Sequence, residues 1–361
     1  MEPIRILQAL TIMNQGGAET MIMNYYRALD KTKYQFDFLV NRQERGFYDD
    51  EIEAMGGHIY RAFPVRPWTY IQYFRWLDKF FAEHHDYKAV HCHIQDNAGF
   101  VHKYAKKYGI EKRVTNSHIA DIGFDYKYIF RVFGRYYVHK YSTVNVSCGV
   151  DAGKFLFGDR PFELLNNAID TKKFTFNPAI RDKVRKELNI SDRIVVGDVA
   201  RFGYQKNHKY LVDVFAELHK VEPKAYLLLV GDGDLKEKVQ KQIEDLGLQN
   251  DAKILSKRPD VNELLQAFDV FFMPSLFEGL PVSVIEAQAA GLHSVLADTI
   301  DRRTDITGNI QFVSLNASKK EWINALLNAA KQPREDTSEA IIKAAYDVNG
   351  NLKRLLTIYN S

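Results

Sequence analysis

The chain lacks the features that mark several large classes of protein. Its 361 residues include two cysteines, Cys92 and Cys148, which are too few for a disulfide framework and form no CxxC pair of the kind that binds zinc. We therefore expect a reducing compartment. Apolar runs such as AYLLLV at 225–230 are far shorter than the roughly 18 residues of a membrane-spanning helix, and we find no signal peptide at the N-terminus. These absences predict a cytoplasmic protein.

The chain also has little excess of one charge sign over the other. The formal net charge is +3, and this excess lies within the first 165 residues, so no nucleic-acid partner is expected. Apolar residues make up 46% of the chain and charged residues 26%, which is typical of soluble globular proteins and excludes a disordered chain or a fibre. The length predicts two domains or a single large one.

Several well-known catalytic motifs are missing. The sequence contains no GxSxG nucleophile elbow, no HExxH helix, no P-loop and no complete GxGxxG fingerprint. The segment GDGD at 231–234 lacks the third glycine of that fingerprint, so hydride transfer loses its best support. Asp232 and Asp234 suggest either a metal site or an acidic turn at a strand end, and we favour the turn.

Short β-branched runs alternate with longer segments of helical periodicity along the whole chain, which is typical of parallel α/β architecture. In the first half, helical segments follow Gly16-Gly17 and lie at 69–84, 97–108 and 125–140, between predicted strands at 4–10, 34–40, 88–93, 112–117 and 142–147. After about residue 165 the pattern restarts, with predicted strands at 193–202, 225–231, 252–256, 269–275 and 294–297. The last helical stretch covers about 337–359.

This alternation predicts two Rossmann-like, doubly wound domains. We place an N-terminal domain at 1–163, a C-terminal domain at 164–340, and a terminal helix at 341–361 that packs on either domain, with a return to the N-terminal one as our choice. Two such domains put the carboxyl ends of two sets of strands across one cleft, and open α/β sheets bind their ligands at such ends.

The first candidate site is the segment SLFEGLPVSVIE at 275–286, after a predicted strand. Glu278 precedes a helix whose N-terminus favours an anion such as phosphate. Glu286 lies inside that helix among apolar neighbours, where an ionised carboxylate without a partner is strongly destabilising. The alternative, equally open on spacing alone, is that Glu286 pairs with a structural Lys or Arg and Glu278 lies on the surface.

The second candidate site is ARFGYQKNH at 200–208, directly after another predicted strand. Arg201 and Lys206 flank a loop, and two such cations are able to hold a diphosphate, the Arg as a planar fork and the Lys as a point charge. Taken alone, the segment is better explained as a solvated basic loop. The glutamate segment in the same predicted domain weakens that alternative.

Glycine and histidine residues supply a third group of candidates. Gly16 and Gly17, at the first strand-to-helix turn, would let the backbone approach a ligand, although a plain left-handed turn explains the pair as well. His118 ends a predicted strand, where an imidazole is placed to donate to a ligand or to transfer a proton. We expect His91 and His93 to point to opposite faces of their strand and therefore to share no metal.

A basic and aromatic segment runs from Lys103 to Lys140. It holds nine basic residues against three acidic ones, and eight aromatic residues are interleaved between Phe124 and Tyr141. Such a mixture suits an anionic membrane surface or a ligand that carries a pyrophosphate. The alternative is a helix that buries its aromatic rings against the sheet and exposes its charges to solvent.

Taken together, these residues resemble the retaining glycosyltransferases of family 4. The resemblance rests on Arg201 with Lys206, on Glu278 and Glu286 separated by seven residues, on the glycine pair and on His118. It covers essentially the whole chain, and NQGGAETMIMNYYRALD, VARFGYQKNH and FDVFFMPSLFEGLPVSVIEAQAAGL are similar to the bacterial capsular and exopolysaccharide branch. The resemblance implies the GT-B fold, in which two Rossmann-like domains face each other across a cleft.

The resemblance also implies a set of donor-binding positions. Arg201 and Lys206 would hold the donor diphosphate, Glu278 the hydroxyls of the donor sugar, Glu286 those of the ribose, and Ser256–Arg258 would frame the base. The implied donor-binding set is Gly16, Gly17, Arg201, Lys206, Ser256, Lys257, Arg258, Glu278, Gly279, Leu280, Val282 and Glu286. One departure is Leu280-Pro281, where many members have an aromatic residue and glycine, because Pro281 removes one amide donor.

Catalysis would depend on His118 at the donor sugar together with Arg201, Lys206 and Glu278. The family's retaining outcome is commonly explained by attack on the same face, with the leaving diphosphate helping to deprotonate the acceptor hydroxyl, so stabilisation of the diphosphate would be the main catalytic contribution. No metal and no cofactor are expected, since the nucleotide sugar is a substrate.

The expected function is transfer of a hexosyl or N-acetylhexosaminyl unit from a nucleotide sugar, of the UDP type, to a saccharide acceptor. We expect the acceptor to be lipid-linked and the enzyme to work at the inner face of the cell membrane in surface polysaccharide synthesis, with the Lys103–Lys140 segment as the membrane contact. Two alternatives stay open: a nucleotide-sugar epimerase of the same fold, and a non-catalytic glycosyltransferase-like partner subunit.

Overall fold

The computed structural model describes residues 2–119 and 128–361. The chain divides into two compact units, Met1–Ala168 with Val348–Ser361, and Ile169–Asp347. Each unit is built around a parallel sheet of its own. Within the described residues, no helix has both the length and the apolar character that crossing a bilayer requires.

The first unit is a seven-stranded parallel sheet with helices on both faces. The strand order is β3-β2-β1-β4-β5-β6-β7. Its strands are β1 (Ile4–Leu10), β2 (Tyr34–Val40), β3 (Ile59–Arg61), β4 (Ala89–Cys92), β5 (Lys112–Ser117), β6 (Val144–Ser147) and β7 (Glu163–Leu164). Its helices include α1 (Gly17–Ala28), α2 (Asp49–Ala54), α3 (Tyr70–Glu83), α4 (Ala98–Lys107), α5 (Tyr128–Tyr141) and α6 (Val150–Phe157).

The second unit repeats this plan with six strands in the order β10-β9-β8-β11-β12-β13. Its strands are β8 (Ile194–Val199), β9 (Ala225–Val230), β10 (Ala252–Leu255), β11 (Val270–Met273), β12 (Ser294–Ala297) and β13 (Ile310–Val313). Its helices are α7 (Thr171–Phe174), α8 (Pro178–Glu187), α9 (His208–Val221), α10 (Lys236–Asp245), α11 (Val261–Ala267), α12 (Val282–Ala289), α13 (Lys319–Ala330) and α14 (Ser338–Lys343).

Buried strands explain why the sequence shows apolar runs rather than strict alternation. Successive side chains point to opposite faces, so Ile6 of β1 belongs to one core and its neighbour Leu7 to the other. In the second unit, Leu227 packs with one helical layer and Leu228 with the opposite one. Because helices cover both faces, a strand that is apolar throughout is stable in each sheet.

The C-terminal stretch differs from the single helix predicted over about 337–359. Helix α14 ends at Lys343, Ala345 adopts a left-handed conformation with φ 60°, and a separate helix α15 (Val348–Asn360) follows. Helix α14 belongs to the second unit, whereas α15 belongs to the first, where Leu355 and Tyr359 are fully buried. Burial of the apolar stripe of α15 therefore anchors the chain's end in the first unit.

The unit boundaries also differ from the predicted ones at 163 and 340. The chain leaves the first unit after Ala168 and returns to it at Val348. The added residues pack with the first unit because Leu165 and Ala168 are buried in its core.

Three strands were not predicted: β3, β7 and β13. They contain three, two and four residues, and none is a wholly buried apolar run. Each lies at or next to an outer edge of its sheet, where pairing on one side suffices. The predicted helix at 125–140 is present as α5 from Tyr128 onward, and residues 125–127 lie outside the described residues.

Helices α4 and α5 approach each other closely at a glycine. A Cβ placed on Gly99 would lie 2.3 Å from the backbone nitrogen of Val138. Gly350 in α15 is a matched comparison, because it is also helical but has open space around it.

We predict that Gly99→Ala lowers the free energy of unfolding by about 1–3 kcal/mol, since the added methyl group forces the helices apart. Gly350→Ala should raise it by about 0.5–1 kcal/mol through helix propensity. Urea unfolding followed by circular dichroism measures both. Equal stabilisation by the two substitutions would contradict the close helix contact.

Candidate functional site

The second sheet changes strand order between β8 and β11. Strands β9 and β10 follow β8 on one side, whereas β11, β12 and β13 extend the sheet on the other. At such a point the loops leaving the two central strands diverge and open a crevice at the carboxyl ends, which is where doubly wound sheets bind ligands. The loops here are 200–207 and 274–281, the two segments that the sequence singles out.

Hydrogen bonds join these two loops directly. The backbone N–H of Leu276 donates to the carbonyl of Gln205 at 2.8 Å. The side-chain amide of Gln205 donates to the carbonyl of Phe277 at 2.8 Å, and that of Asn207 to the carbonyl of Pro274 at 3.1 Å. Segments about 70 residues apart in sequence therefore form one surface.

The centre of this surface is an ion pair between Lys206 and Glu278. The ammonium nitrogen lies 2.5 Å from Oε1 of the carboxylate, and the two side chains are only 17% and 11% exposed. The interpretations of Lys206 as part of a solvated loop and of Glu278 as a surface residue are both contradicted by this burial. Removing one member of a largely buried pair leaves the other charge uncompensated, which is strongly destabilising.

Arg201 lies at the same sheet edge but in a more accessible position. Its guanidinium donates to Asp234 at 3.1 Å, and both side chains are more than two-thirds exposed. An exposed pair of this kind contributes little free energy, so an anionic ligand replaces Asp234 at low cost.

The predicted base-framing segment Ser256–Arg258 follows β10 at this edge. The backbone N–H of Lys257 donates to Asp232 at 2.8 Å, and Lys236 donates to the hydroxyl of Ser256 at 2.6 Å. Lys236 and then the Lys257 amide hold the pKa of Asp232 below its ordinary value. Asp232 therefore orders the loops after β9 and β10, and the described residues contain no group of three or more His, Cys, Asp or Glu side chains able to hold a metal.

The two glycines of the GDGD segment have a structural role that the sequence pattern does not indicate. Gly231 has φ +153°, and a Cβ on it would lie 2.0 Å from the carbonyl oxygen of Ala200. Gly233 has φ +155°, and a Cβ on it would lie 2.4 Å from the carbonyl oxygen of Phe202. The backbone N–H of Phe202 donates to the carbonyl of Asp232 at 3.0 Å. These glycines let the loop that carries Arg201 lie directly on the loop after β9.

Glu286 lies in the second turn of α12 and is partly buried. Burial raises the pKa of its carboxyl to about 8. Among the described residues it has no hydrogen-bond or ion-pair partner, so the alternative that it pairs with a structural Lys or Arg is wrong. A carboxyl that lacks a partner inside a ligand-binding crevice is a candidate to bind ligand hydroxyls.

The start of α12 supplies the remaining predicted donor positions. Pro281 precedes the helix in an extended conformation, and Val282 is its first residue. Gly279 is exposed and has open space around its Cα. Leu280 is partly buried. The N-terminal amides of this helix, after the proline, carry a positive dipole end toward the crevice.

In the first unit, Gly16 is the N-cap of α1 and Gly17 is the first residue of that helix. Gly16 has φ −104°, and neither glycine has a positive φ, so the left-handed turn considered for this pair is absent. A Cβ on Gly16 would lie 2.2 Å from a carboxylate oxygen of Glu19, whereas Gly17 has open space around it. The glycine at position 16 thus makes room for an acidic side chain.

His118, at the carboxyl end of β5, joins a buried chain of polar side chains that starts at the C-terminal helix. Tyr359 of α15 lies 3.1 Å from the amide nitrogen of Gln8 and 2.7 Å from Nδ1 of His91. The amide oxygen of Gln8 lies 3.1 Å from Nε2 of His93, whose Nδ1 is 2.9 Å from Nε2 of His118. All the links lie within the first unit.

The predicted opposite orientation of His91 and His93 was wrong. Their ring centroids lie 4.2 Å apart. Residues two apart in a strand share a face, because side chains alternate with a period of two. Burial lowers the pKa of both rings well below the ordinary value, so they are neutral partners.

The chain of bonds sets the tautomer of His118. An amide oxygen only accepts, so Nε2 of His93 donates to Gln8, and the neutral ring of His93 therefore accepts at Nδ1. His118 must then donate from Nε2 and carry its lone pair on Nδ1. Burial also lowers its pKa to about 4, so it is neutral at physiological pH.

Helix α5 contains the C-terminal part of the basic and aromatic segment and has an exposed apolar face. Six of its apolar and aromatic side chains are between 37% and 75% exposed: Tyr128, Ile129, Phe130, Val132, Phe133 and Tyr136. The alternative that this helix buries its aromatic rings is therefore wrong for most of them, although Tyr137 packs against the core. Phe124, Tyr126 and Lys127 of the segment lie outside the described residues.

The raised pKa of Glu286 predicts a pH-dependent stability. Between about pH 4.5 and 8 the folded state keeps this proton and the unfolded state loses it, so the free energy of unfolding should fall as the pH rises through this range. We expect Glu286→Gln to abolish this loss, so that the variant gains on the wild type as pH increases. Urea unfolding at several pH values tests this, and parallel curves for both proteins would contradict it.

The tautomer of His118 is open to direct observation. We expect its ring to hold the proton on Nε2 and to show no titration near pH 6.5, as read from ring nitrogen shifts in an NMR spectrum. His93→Phe removes the acceptor and should change the Nε2 signal. A proton on Nδ1 in the wild type would show that the assigned chain of bonds is wrong.

Comparisons with known proteins assign the chain to a family. Residues 180–348 match the model of the family described as glycosyl transferases group 1. A putative glycosyltransferase, EpsF of Bacillus subtilis (strain 168), is 36% identical over 370 residues, which span 99% of this chain and 96% of that protein.

Two further likenesses are informative. The UDP-Gal:alpha-D-GlcNAc-diphosphoundecaprenol alpha-1,3-galactosyltransferase of Escherichia coli is 31% identical over 141 residues, 37% of this chain and 36% of that protein. The crystal structure of Anabaena HepE in complex with UDP-glucose superposes with a TM-score of 0.77 at 20% identity, over 99% of both chains. The predicted fold class is confirmed. The chain belongs to the group 1 glycosyltransferases, with two Rossmann-like units of the GT-B fold.

Proposed function

We propose that this protein is a retaining, family 4 glycosyltransferase that moves a hexosyl or N-acetylhexosaminyl unit from a UDP-sugar to a lipid-linked saccharide during surface polysaccharide synthesis. The observation that carries the proposal is the grouping of Arg201, Lys206 and Glu278 at the strand-order change of the second sheet, beside the carboxyl of Glu286, which has no partner among the described residues. Relatives named for polysaccharide synthesis and for a diphosphoundecaprenol acceptor support the pathway and the acceptor class.

In this proposal the donor diphosphate binds Arg201 and Lys206. Arg201 exchanges its exposed contact with Asp234 for a bidentate contact with phosphate. Lys206 has three ammonium protons, so it keeps Glu278 while it donates to a phosphate oxygen. Glu278, thus oriented, accepts hydrogen bonds from hydroxyls of the donor sugar. The amides of Gly279, Leu280 and Val282 lie beside it.

The nucleoside occupies the crevice on one side of the diphosphate. Ribose hydroxyls donate to the carboxyl of Glu286, and this binding favours its ionised form against the effect of burial. Ser256, Lys257 and Arg258 frame the base. In the first unit, the proposed donor-binding groups are the backbone amides of Gly16 and Gly17 and the Nδ1 acceptor of His118.

The reaction forms a bond between the acceptor oxygen and the anomeric carbon and breaks the bond from that carbon to the diphosphate. The acceptor's proton passes to an oxygen of the leaving diphosphate on the same face, so the anomeric configuration is kept. Negative charge grows on the diphosphate as the bond breaks, and Arg201 and Lys206 stabilise it more in the transition state than in the ground state. No metal and no cofactor take part.

The exposed face of α5 is the proposed membrane contact. Lys103 lies 5.5–5.9 Å from the ring centroids of Phe74, Tyr104 and Tyr137, which places a cation among aromatic rings. Aromatic and basic side chains together suit the interface of an anionic leaflet. We therefore propose a cytoplasmic protein that binds the inner face of the cell membrane.

We predict that Lys206→Ala lowers kcat/KM for sugar transfer by about 10²–10³-fold, because the diphosphate loses a preorganised cation. Lys209→Ala is the matched control: this lysine lies three residues away, is 80% exposed and pairs with Asp213 of the same helix. Nucleotide release with a matched donor and acceptor measures both variants. Equal release by Lys206→Ala, Glu278→Ala and wild type would overturn the site assignment.

Further measurements distinguish this proposal from the alternative functions. Product analysis without acceptor identifies an epimerase, which needs none, and the anomeric coupling in the product shows retention or inversion. A thermal-shift screen of nucleotide sugars ranks donors, because a ligand at 100 times its dissociation constant stabilises by about 2.7 kcal/mol. A protein that binds no nucleotide in calorimetry would be a non-catalytic subunit.

A further inference from the structure

The second unit buries an aspartate and a histidine that the proposed reaction does not use. Asp198 is the next-to-last residue of β8 and is fully buried, and His208 is the first residue of α9 and is 4% exposed. Oδ2 of Asp198 lies 3.3 Å from Nε2 of His208. We call this contact the Asp198–His208 pair, and it lies wholly within the second unit.

The alternation of side chains along β8 explains why these two residues meet. Asp198 and Val196 are two residues apart in the strand and therefore share a face of the sheet. Val196 packs in the same core as Leu211 and Phe215 of α9. The side chain of Asp198 therefore points toward the helix that begins at His208.

The Asp198–His208 pair is unfavourable as a purely structural contact. Oδ1 of Asp198 and Nδ1 of His208 have no hydrogen-bond partner among the described residues. Buried polar atoms without partners are destabilising, and well-packed apolar side chains often replace a buried pair with equal or greater stability. Exceptions to this rule are expected where a functional site needs a fixed geometry. The pair is therefore a candidate for a role in the site beside it.

The pair closes the base of the loop 200–207. This loop follows β8, which ends at Val199, and it leads into α9 at His208, so the contact joins both of its ends. The ring of His208 also stacks on that of Phe202, with centroids 4.2 Å apart and an interplanar angle of 17°. Phe202 is fully buried. His208 thus contacts the strand before the loop and a buried residue within it.

Lys206 lies close to this anchor in the chain. It ends the short turn Tyr204–Lys206, two residues before His208. Asn207, between them, adopts a left-handed conformation with φ 56°, and its side-chain amide donates to the carbonyl of Pro274 at 3.1 Å. Because one residue separates Lys206 from His208, a shift of the histidine displaces the lysine as well.

The other end of α9 has a contact of the same kind. Nε2 of His219 lies 3.5 Å from Oδ2 of Asp251, and Asp251 also pairs with Arg193. Asp251 comes directly before β10, at the amino end of that strand. The predicted donor-binding loops of this unit follow the opposite, carboxyl ends of the strands. This second pair is therefore a matched control with the same residue types on the same helix.

We propose that Asp198 and His208 are positioning residues for Lys206: their contact holds the loop 200–207 so that the ammonium group of Lys206 meets the donor diphosphate. Neither residue touches the substrate. The inference rests on the proposed function, because that function assigns the diphosphate contact to Lys206. Accurate placement matters, since a shift of about 1 Å in a group that binds the reacting atoms lowers a rate by up to about 10²-fold.

The experiment compares the binding of UDP with that of uridine, which lacks the diphosphate, using the full chain. Calorimetry measures UDP binding, and titration of NMR signals measures the weaker binding of uridine. The test variant is Asp198→Leu, which removes the contact with His208. Asp198→Asn is the conservative variant, because its amide oxygen is still able to accept from Nε2 of His208. The matched control is Asp251→Leu, at the other end of α9.

We expect Asp198→Leu to weaken UDP binding by about tenfold, the effect of losing one charge-assisted contact with phosphate, and to leave uridine binding unchanged. Asp198→Asn should restore most of the UDP affinity. Asp251→Leu should lower the thermal midpoint and keep both affinities at the wild-type value. In a Lys206→Ala background, Asp198→Leu should have no further effect on UDP binding, because it acts through that lysine.

Thermal unfolding followed by circular dichroism shows whether each variant is folded. If Asp198→Leu does not fold, the double variant Asp198→Leu with His208→Leu leaves neither polar group unpaired, and the same selective loss of UDP binding is expected of it. Unchanged UDP binding by the folded variant would overturn the inference. An equal loss of UDP and uridine binding would also overturn it, as would a full tenfold loss in the Lys206→Ala background.

The proposed function is judged separately. If the wild type binds UDP and Lys206→Ala weakens this binding while Asp198→Leu leaves it intact, only the positioning inference fails. If the wild type binds no nucleotide, the proposed function fails, and the positioning inference fails with it.

Discussion

The ion pair between Lys206 and Glu278 is the interaction on which the candidate site depends. It joins the ends of β8 and β11, two strands that are neighbours in the sheet and distant in the chain. Both side chains are largely shielded from water, so each charge is stabilised by the other. Holding the two charges together also keeps the two loops within hydrogen-bonding distance. The same pairing presents a cation and a carboxylate side by side at the crevice where a sheet of this topology binds ligands.

Buried polar groups are satisfied in two ways. Ion pairs such as Lys206 with Glu278, and Arg61 with Asp49 in the first unit, join opposite charges, whereas the chain from Tyr359 to His118 links neutral groups. Neutral hydrogen-bonded rings avoid the cost of burying charge, and each link restricts the proton position of the next. The C-terminal helix therefore contributes to the environment of His118 although it lies more than 200 residues away in sequence.

Much of this organisation is readable from the sequence because it depends on local patterns. Buried central strands such as β1 and β9 appear as apolar runs, and loops that follow them carry the charged candidates. The short strands β3, β7 and β13 escape prediction because pairing with a neighbour, rather than their own composition, makes them strands. The glycines of the GDGD segment also escape, because their need for close backbone approach exists only once two loops meet.

The sequence by itself determined the doubly wound class, the repeat of the plan in two units and the identity of the charged candidates, since hydrophobic period and residue chemistry are local properties. Only the tertiary structure decided that Lys206 pairs with Glu278, that Glu286 has no partner among the described residues, and that Tyr359 is linked to His118 through Gln8 and His93. Those facts depend on distances between residues far apart in the chain, which are set by how strands are ordered in a sheet and by what covers each side chain.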